Sequence, residues 1–457
     1  MAQGNVARTS AAPPAAGRVL VVGLGKTGMS CARFLARRGA AVAVTDTRVE
    51  PPGLDDIRRE LPDVALFLGG FDRSAFAAAE LVVVSPGVSI QEPAIREARA
   101  RGVPVLGDVE LFAQSAQAPV AAITGSNGKS TTTMLLGEMA RIAGRRAAVG
   151  GNLGEPALDL LDPAVELYVL ELSSFQLEST ETLAPAVATV LNVSADRMDR
   201  YPDLAAYAAA KARVLRGAEV AILNRDDPVV TAMPGGRERR GFTLGEPAPG
   251  DFGVRQQAGA PWLCRGDEPL ISAAEVAIPG SHNRANALAA LAMGDALGLP
   301  LEAMCEALRS FRGLPHRTQL VAEIGGVRFY DDSKGTNVGA TAAALEGFAD
   351  GSPARTVLIA GGDGKGQDFA ALGPLLARTA RCVVLIGRDA PLIEAVLDAA
   401  TPRVRARDMA EAVVVAAEQA RPGDQVLLSP ACASFDMFRN YEHRGAVFAD
   451  AVRRLAP

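Results

Sequence analysis

At 457 residues the chain is long enough for two to four domains. Hydrophobic residues at 49% and charged residues at 22% mark a globular chain and exclude wholesale disorder. A net charge of -5 offers phosphate backbones no general attraction, so nucleic acid is not an expected partner.

Five cysteines, Cys31, Cys264, Cys305, Cys382 and Cys432, are scattered without a CxxC pair, and there are only three histidines. That pattern argues against a disulfide framework or a zinc site and fits a reducing compartment. The N-terminus lacks the basic cluster and apolar run of a signal peptide. No stretch of about 18 apolar residues is present to span a bilayer. A cytoplasmic protein without a membrane segment is expected.

Residues 1–17 are Ala- and Pro-rich without periodicity and read as a mobile leader. From Arg18 onward, short apolar strands alternate with Ala-rich helical stretches. The strands are Val19–Val22, Ala41–Thr45, Leu81–Val84, Val120–Ile123, Leu167–Leu170, Val187–Leu191, Val220–Leu223, Val357–Ala360, Val383–Ile386 and Val426–Leu428. Near-continuous Val/Ile/Leu runs of this kind predict parallel strands buried on both faces, with ligands at their carboxyl ends. Boundaries near Gly107 and near Gly313-Leu314-Pro315 divide the chain into three α/β domains with mostly parallel sheets. These are a Rossmann-like unit at 18–107, a P-loop-type ATPase unit at 108–313 and a second Rossmann-like unit at 314–457. Asn286–Arg312 reads as helical, and the Gly/Pro-rich insert from Gly235 to Ser272 as either a β-elaboration or a loop-rich excursion.

The first phosphate-binding signal follows strand Val19–Val22. Gly23-Leu24-Gly25-Lys26-Thr27-Gly28 is a GxGxxG turn leading into a helix, and the next strand ends at Asp46. Such glycines let a pyrophosphate approach a helix N-terminus, and an acidic residue at the strand end can accept from ribose hydroxyls. Alone, this turn points to a nucleotide without saying which. A glycine turn with no ligand is the plain alternative.

The second signal decides the class. Strand Val120–Ile123 runs into Thr124-Gly125-Ser126-Asn127-Gly128-Lys129-Ser130-Thr131 and then a helix. The glycines expose N–H groups to phosphates, Lys129 neutralises charge, and Ser130 offers a hydroxyl to Mg2+. Ile123 stands where the strict GxxxxGK[ST] pattern has its first glycine. Two phosphate-binding turns in two domains imply ATP in one and a nucleotide-linked substrate in the other.

Thr124–Thr131 resembles the ATP loop of the Mur ligases, and the resemblance extends over nearly the whole chain after the leader. It is carried also by Gly23–Gly28 with Asp46-Thr47-Arg48, Gly150–Gly154, Leu170–Glu178, Gly280–Asn283, Gly313–Arg317, Asp331–Lys334 and Ser429–Ser434. Within that family the likeness is greatest to members that add D-glutamate to UDP-N-acetylmuramoyl-L-alanine. It therefore implies a cytoplasmic, monomeric ligase that uses ATP and one or two Mg2+ ions. In such a reaction a carboxylate is phosphorylated by ATP and an amine attacks the acyl phosphate, so cations must offset the charge of three anionic reactants.

The resemblance also implies roles. Gly125, Ser126, Asn127, Gly128, Lys129, Ser130 and Thr131 would hold the triphosphate, with Asn283 and Asn286 near the adenine and Arg317 and Asp332 completing the ATP site. Asn283 as a helix N-cap is the competing reading. Glu171, at a strand end, pairs with Ser130 as a Mg2+ ligand, and Lys211 resembles the lysine carried as a carbamate that binds a second ion. Lys334 and Thr336 would face the transferred phosphoryl group and the amino acid, while Lys365, Ser434 and Phe435 would bind the amino acid. Thr27, Asp46, Thr47, Arg48, Gly87 and Asn152 would bind the uridine substrate. One position departs from the pattern: Arg197 stands where the family usually has a histidine ligand, and arginine cannot coordinate a metal.

Three other readings compete. A folylpolyglutamate-synthase-like ligase leaves the Gly23–Gly28 turn and Asp46 unexplained. A nicotinamide-dependent oxidoreductase leaves Lys129, Glu171 and Lys334 without roles. A weakly active nucleotide-binding relative is motivated by Arg197 alone.

Overall fold

The computed structural model describes residues 17–198, 200–349 and 354–455, so all of the expected leader except Gly17 lies outside the described residues. The first sheet contains β1 (Arg18–Val22), β2 (Ala41–Asp46), β3 (Ala65–Leu68), β4 (Leu81–Val84) and β5 (Val105–Gly107). Its order is β3-β2-β1-β4-β5, and every pairing is parallel. The apolar run of β1 is explained by burial on both faces. Val19 and Val21 join one cluster with Met29 and Leu35, whereas Leu20 and Val22 join another with Phe76 and Ile95.

The second sheet contains β6 (Val120–Thr124), β7 (Ala147–Gly151), β8 (Leu167–Glu171), β9 (Val187–Val190), β10 (Val220–Asn224), β11 (Glu238–Phe242), β12 (Phe252–Gln257), β13 (Ala260–Arg265) and β14 (Glu268–Ser272). They are ordered β14-β13-β12-β11-β10-β9-β6-β8-β7. The insert is thus β-structure: β11 is parallel to β10, while β12, β13 and β14 form an antiparallel meander. Ala258 and Gly259 turn the chain between β12 and β13 at φ 49° and 83°, the left-handed pair a two-residue hairpin needs. The expected helical stretch Asn286–Arg312 is two helices, Ser281–Ala296 and Leu301–Ser310, broken at the positive-φ residue Gly298.

The third sheet contains β15 (Gln319–Ile324), β16 (Val327–Asp331), β17 (Thr356–Ala360), β18 (Ala380–Leu385), β19 (Arg403–Arg405) and β20 (Gln425–Leu428), ordered β15-β16-β20-β17-β18-β19. Only β15 runs antiparallel, turning into β16 through Gly325 and Gly326. Asp46, Glu171 and Asp331 each end a strand, and the Gly125 loop follows β6, so the polar residues gather at carboxyl edges. Among the described residues, no helix is long and apolar enough to cross a membrane.

Candidate active site

Two clefts flank the middle sheet. The front one, about 540 Å³, is lined by Thr27, Asp46, Thr47, Arg48 and Gly87 of the first unit and by Asn152 and Gln176 of the second. The helix after β1 can come this close only because Gly28 has no side chain: a Cβ there would sit 1.9 Å from the Gly23 carbonyl oxygen.

Asp46, the expected ribose acceptor, lines this cleft and is also engaged by the protein. Its carboxylate is 2% exposed and already accepts from the Leu24 N–H at 2.7 Å and the Arg48 N–H at 2.9 Å. The Arg48 guanidinium adds a two-pronged contact, Nε to Oδ1 at 2.9 Å and Nη2 to Oδ2 at 2.7 Å. Burial pushes the carboxyl up, but these bonds outweigh it and hold it at about 2. Asp46 therefore locks the glycine turn and directs Arg48 toward the cleft, with both oxygens engaged by protein groups.

At the phosphate loop, Lys129 folds its Nζ back onto the carbonyls of Gly125 and Ser126 at 2.8 and 2.9 Å. Burial lowers its pKa. The loop is pinned by Asn192, whose Oδ1 accepts from the Asn127 N–H at 2.8 Å and whose Nδ2 donates to the Asn127 carbonyl at 3.1 Å. Asn192 carried no assigned role in the sequence reading. Its signal is its position two residues beyond β9, at the same sheet edge. Gly128 has φ 82°, and a Cβ on it would lie 2.2 Å from Asn286 Oδ1, so the loop and the Ser281–Ala296 helix are in direct contact.

Glu171 is the junction of the site. β7 and β8 pair Gly151 with Glu171, which brings Asn152 beside the carboxylate. Asn152 Nδ2 donates to Oε1 at 2.6 Å and Ser130 Oγ to Oε2 at 2.5 Å. Arg317 reaches in from the third unit, its Nη2 donating to Ser130 Oγ at 2.7 Å. Lys211 is 1% exposed, with Nζ 2.8 Å from the Gly125 carbonyl and 4.4 Å from the Tyr207 ring centroid. Burial, with the nearby Lys129 charge second, pushes its pKa well below the usual lysine value.

The rear cleft, about 300 Å³, lies between the second and third units and is lined by Asn127, Gly128, Thr131, Asn283, Asn286, Arg317, Asp332 and Lys334. Asn283 is not a cap: the helix begins at Ser281 after Gly280 at φ 97°, and Asn283 Oδ1 accepts from Asn286 Nδ2 at 3.2 Å. Asp332 accepts from Ser429 Oγ at 2.7 Å and the Thr318 N–H at 3.1 Å. Burial outweighs those bonds and raises it to about 7.

Lys334 Nζ sits 3.7 Å from the Tyr441 ring centroid, and burial lowers it to about 8. The half-buried Thr336 donates its N–H to the Lys334 carbonyl at 2.9 Å. Lys365, at φ 51° in its glycine loop, lies 3.8 Å from Asp196 of the second unit. Ser434 is 3% exposed, but Phe435 is 73% exposed, so the aromatic ring expected to enclose the amino acid stands in solvent. Tyr441 supplies the aromatic face beside Lys334 instead. Arg444 was also missed: fully buried, it donates to Ser333 Oγ at 2.9 Å, the Ser333 carbonyl at 2.8 Å and the Cys432 carbonyl at 3.1 Å. It ties the Lys334 turn to the Ser434 loop. No local motif marks either residue in the last helix.

Ser130 and Glu171 are hard oxygen donors that suit Mg2+ together with phosphate oxygens. Among the described residues, no group of three His, Cys, Asp or Glu side chains is placed to hold a metal by itself. Arg197 adds no donor: its guanidinium lies 5.7 Å from the Phe175 ring centroid.

Residues 17–107 match the Mur ligase MurD-like N-terminal domain, 123–294 the Mur ligase middle domain and 316–432 the Mur ligase glutamate ligase domain. The chain is 56% identical to the UDP-N-acetylmuramoylalanine--D-glutamate ligase of Nitrosococcus oceani, covering 97% of this chain and 98% of that one. It is 56% identical to the same-named ligase of Methylococcus capsulatus, covering 96% and 95%. In fold it is similar to the MurF ligase of Thermotoga maritima in complex with ADP, with a TM-score of 0.62 at 18% identity over 96% of each chain. The UDP-N-acetylmuramate-alanine ligase MurC of the same organism gives 0.60 at 19% identity, over 96% of this chain and 100% of that one.

Proposed function

The chain belongs to the Mur ligase family, and from that premise we propose how its three units divide one reaction. The activity is the ATP-dependent addition of D-glutamate to UDP-N-acetylmuramoyl-L-alanine in peptidoglycan precursor synthesis. Residues 18–107 hold the uridine nucleotide in the front cleft through Thr27, Thr47, Arg48 and Gly87, with Asp46 fixing Arg48. Residues 108–313 hold ATP on Gly125–Thr131, with Asn283 and Asn286 toward the base. Residues 314–457 bring Arg317, Asp332, Lys334, Thr336, Lys365 and Ser434 to ATP and D-glutamate.

The observation that carries this reading is the double engagement of Glu171. Asn152, which lines the front cleft, bonds one carboxylate oxygen, and Ser130 of the phosphate loop bonds the other. The front cleft and the phosphate loop are therefore one carboxylate apart, as direct transfer between two bound nucleotides requires.

The terminal carboxylate of the uridine substrate attacks the γ-phosphorus, and ADP leaves. The amine of D-glutamate then attacks the acyl carbon, phosphate leaves, and the amine proton passes to solvent or a nearby base. Lys129 and Lys334 neutralise charge as it moves from ATP to the acyl phosphate. Ser130 and Glu171 would hold Mg2+, which would supply further neutralisation of the triphosphate. Burial depresses the Lys211 pKa and so favours its neutral amine, which would add CO₂ and lose a proton, and the carbamate oxygen would then hold a second ion. The enzyme acts as a cytoplasmic monomer without a membrane partner.

A phosphate-release assay tests the reading. With ATP, Mg2+ and the uridine substrate, phosphate should appear continuously only when D-glutamate is added. Steady phosphate release without an amino acid, or equal rates with L-glutamate, would contradict it.

A further inference from the structure

We infer that Asp108 is a positioning residue for the front cleft: its buried carboxylate fixes the side-chain amide of Gln176, a cleft residue, in one orientation. The inference rests on the front cleft being the uridine-nucleotide site.

Asp108 directly follows β5 and opens the helix Asp108–Ala113. It is 1% exposed. Oδ2 accepts from Gln176 Nε2 at 3.0 Å, and the buried Oδ1 has no partner. At its other end the Gln176 amide is equally determined, since Oε1 accepts from the Ser173 N–H and Oγ–H, both at 3.1 Å. Turning the amide by 180° would place oxygen against a carboxylate and an NH₂ group against an N–H. Both contacts are repulsive, so one orientation survives. Nε2 has two hydrogens, of which Asp108 takes one, and the other remains for an acceptor in the cleft that Gln176 lines.

A buried carboxylate with a single side-chain partner is a costly way to fill space, and an apolar residue would stabilise the fold more cheaply. Orientation of a donor explains its presence where packing does not. Other ionisable groups around it are accounted for. Cys31, on the facing helix Lys26–Arg37, has its thiol pushed well up by burial. Asp159 pairs with Arg33 at 3.5 Å, and Glu178 with Arg200 at 3.4 Å. Glu110, on the same helix as Asp108, stays below its usual value, because bonds from Thr182 and the Glu181 N–H outweigh its burial. Burial raises Asp108 itself to about 6. Protonation would cancel the charge that holds Nε2 and loosen the amide.

The test is steady-state kinetics of the full-length enzyme, varying UDP-N-acetylmuramoyl-L-alanine, ATP and D-glutamate singly from pH of about 5.5 to 8.5. Asp108→Asn should raise KM for the uridine substrate by about fivefold to tenfold, with kcat and the KM for ATP within about twofold. Its melting temperature at neutral pH should not fall, since a buried charge is removed. In the native enzyme the same KM should rise below pH of about 6, and in Asp108→Asn that rise should vanish. An unchanged KM with the native pH profile, or a loss confined to kcat and melting temperature, would overturn the inference. Arg48→Ala is the control. If it raises this KM and Asp108→Asn does not, only the inference fails; if neither moves it, the cleft assignment fails as well.

Discussion

The side-chain amines of Lys129 and Lys211 converge on one acceptor, the Gly125 carbonyl oxygen, each at 2.8 Å. Two cations on one oxygen repel each other, and Lys211 is buried while Lys129 is partly so. Neutralising the more enclosed of them, Lys211, relieves the repulsion.

Lys211→Met should therefore keep the fold and lose the reaction. The buried lysine has a depressed pKa, so the folded state binds fewer protons than the unfolded one below the usual lysine value, and stability rises with pH in that window. The variant should lose that slope, melt at or above the native temperature at neutral pH and drop kcat by about 10³-fold or more. Thermal scans across pH alongside turnover check both parts.

Asp332 gives a second pH signature. Its carboxyl sits at about 7 in the fold, well above the usual carboxylate range, so ionising it costs stability. That contribution is fully present below the unfolded value and declines as pH rises toward about 7. Asp332→Asn should flatten this decline. If the ionised form serves ATP, kcat/KM for ATP in the native enzyme should fall as pH drops below about 7, and the variant should show no such inflection.

Arg317 joins the third unit to Ser130 of the second, so Arg317→Ala should weaken closure. Small-angle scattering with the uridine substrate and an ATP analogue should show less compaction than the native enzyme, and kcat should fall by about 10²-fold. The KM for the uridine substrate should change little.

Lys129→Ala should abolish phosphate release while leaving calorimetric binding of the uridine substrate within about threefold of native. Only the loop that cradles the triphosphate is altered.

Much of this site was readable because its parts are local. A strand, two glycines, a lysine and a hydroxyl occur in fixed order at 120–131, and the strand end at Glu171 follows from an apolar run that stops in a carboxylate. The pairing of Ser130 and Asn152 on Glu171 was not readable, because it depends on which strands lie side by side and in what register. Tyr441 and Arg444 escaped for the same reason: the last helix meets the Lys334 turn across more than a hundred residues of sequence. Phe435 looked suitable by type and neighbourhood, yet the loop turns it into solvent. The β15–β16 hairpin carried a local cue in Gly325-Gly326 between apolar stretches. The insert at 235–272 was ambiguous because its strands are interrupted by Gly and Pro, and sheet pairing settles them only in three dimensions.

The most direct measurement is a crystal structure with UDP-N-acetylmuramoyl-L-alanine and a non-hydrolysable ATP analogue bound together. The account predicts the uridine diphosphate against Thr27 and Arg48, the triphosphate on Ser126–Thr131, and the substrate carboxylate near the Glu171 junction. Adenosine phosphates in the front cleft, with the Lys129 loop bare, would contradict it.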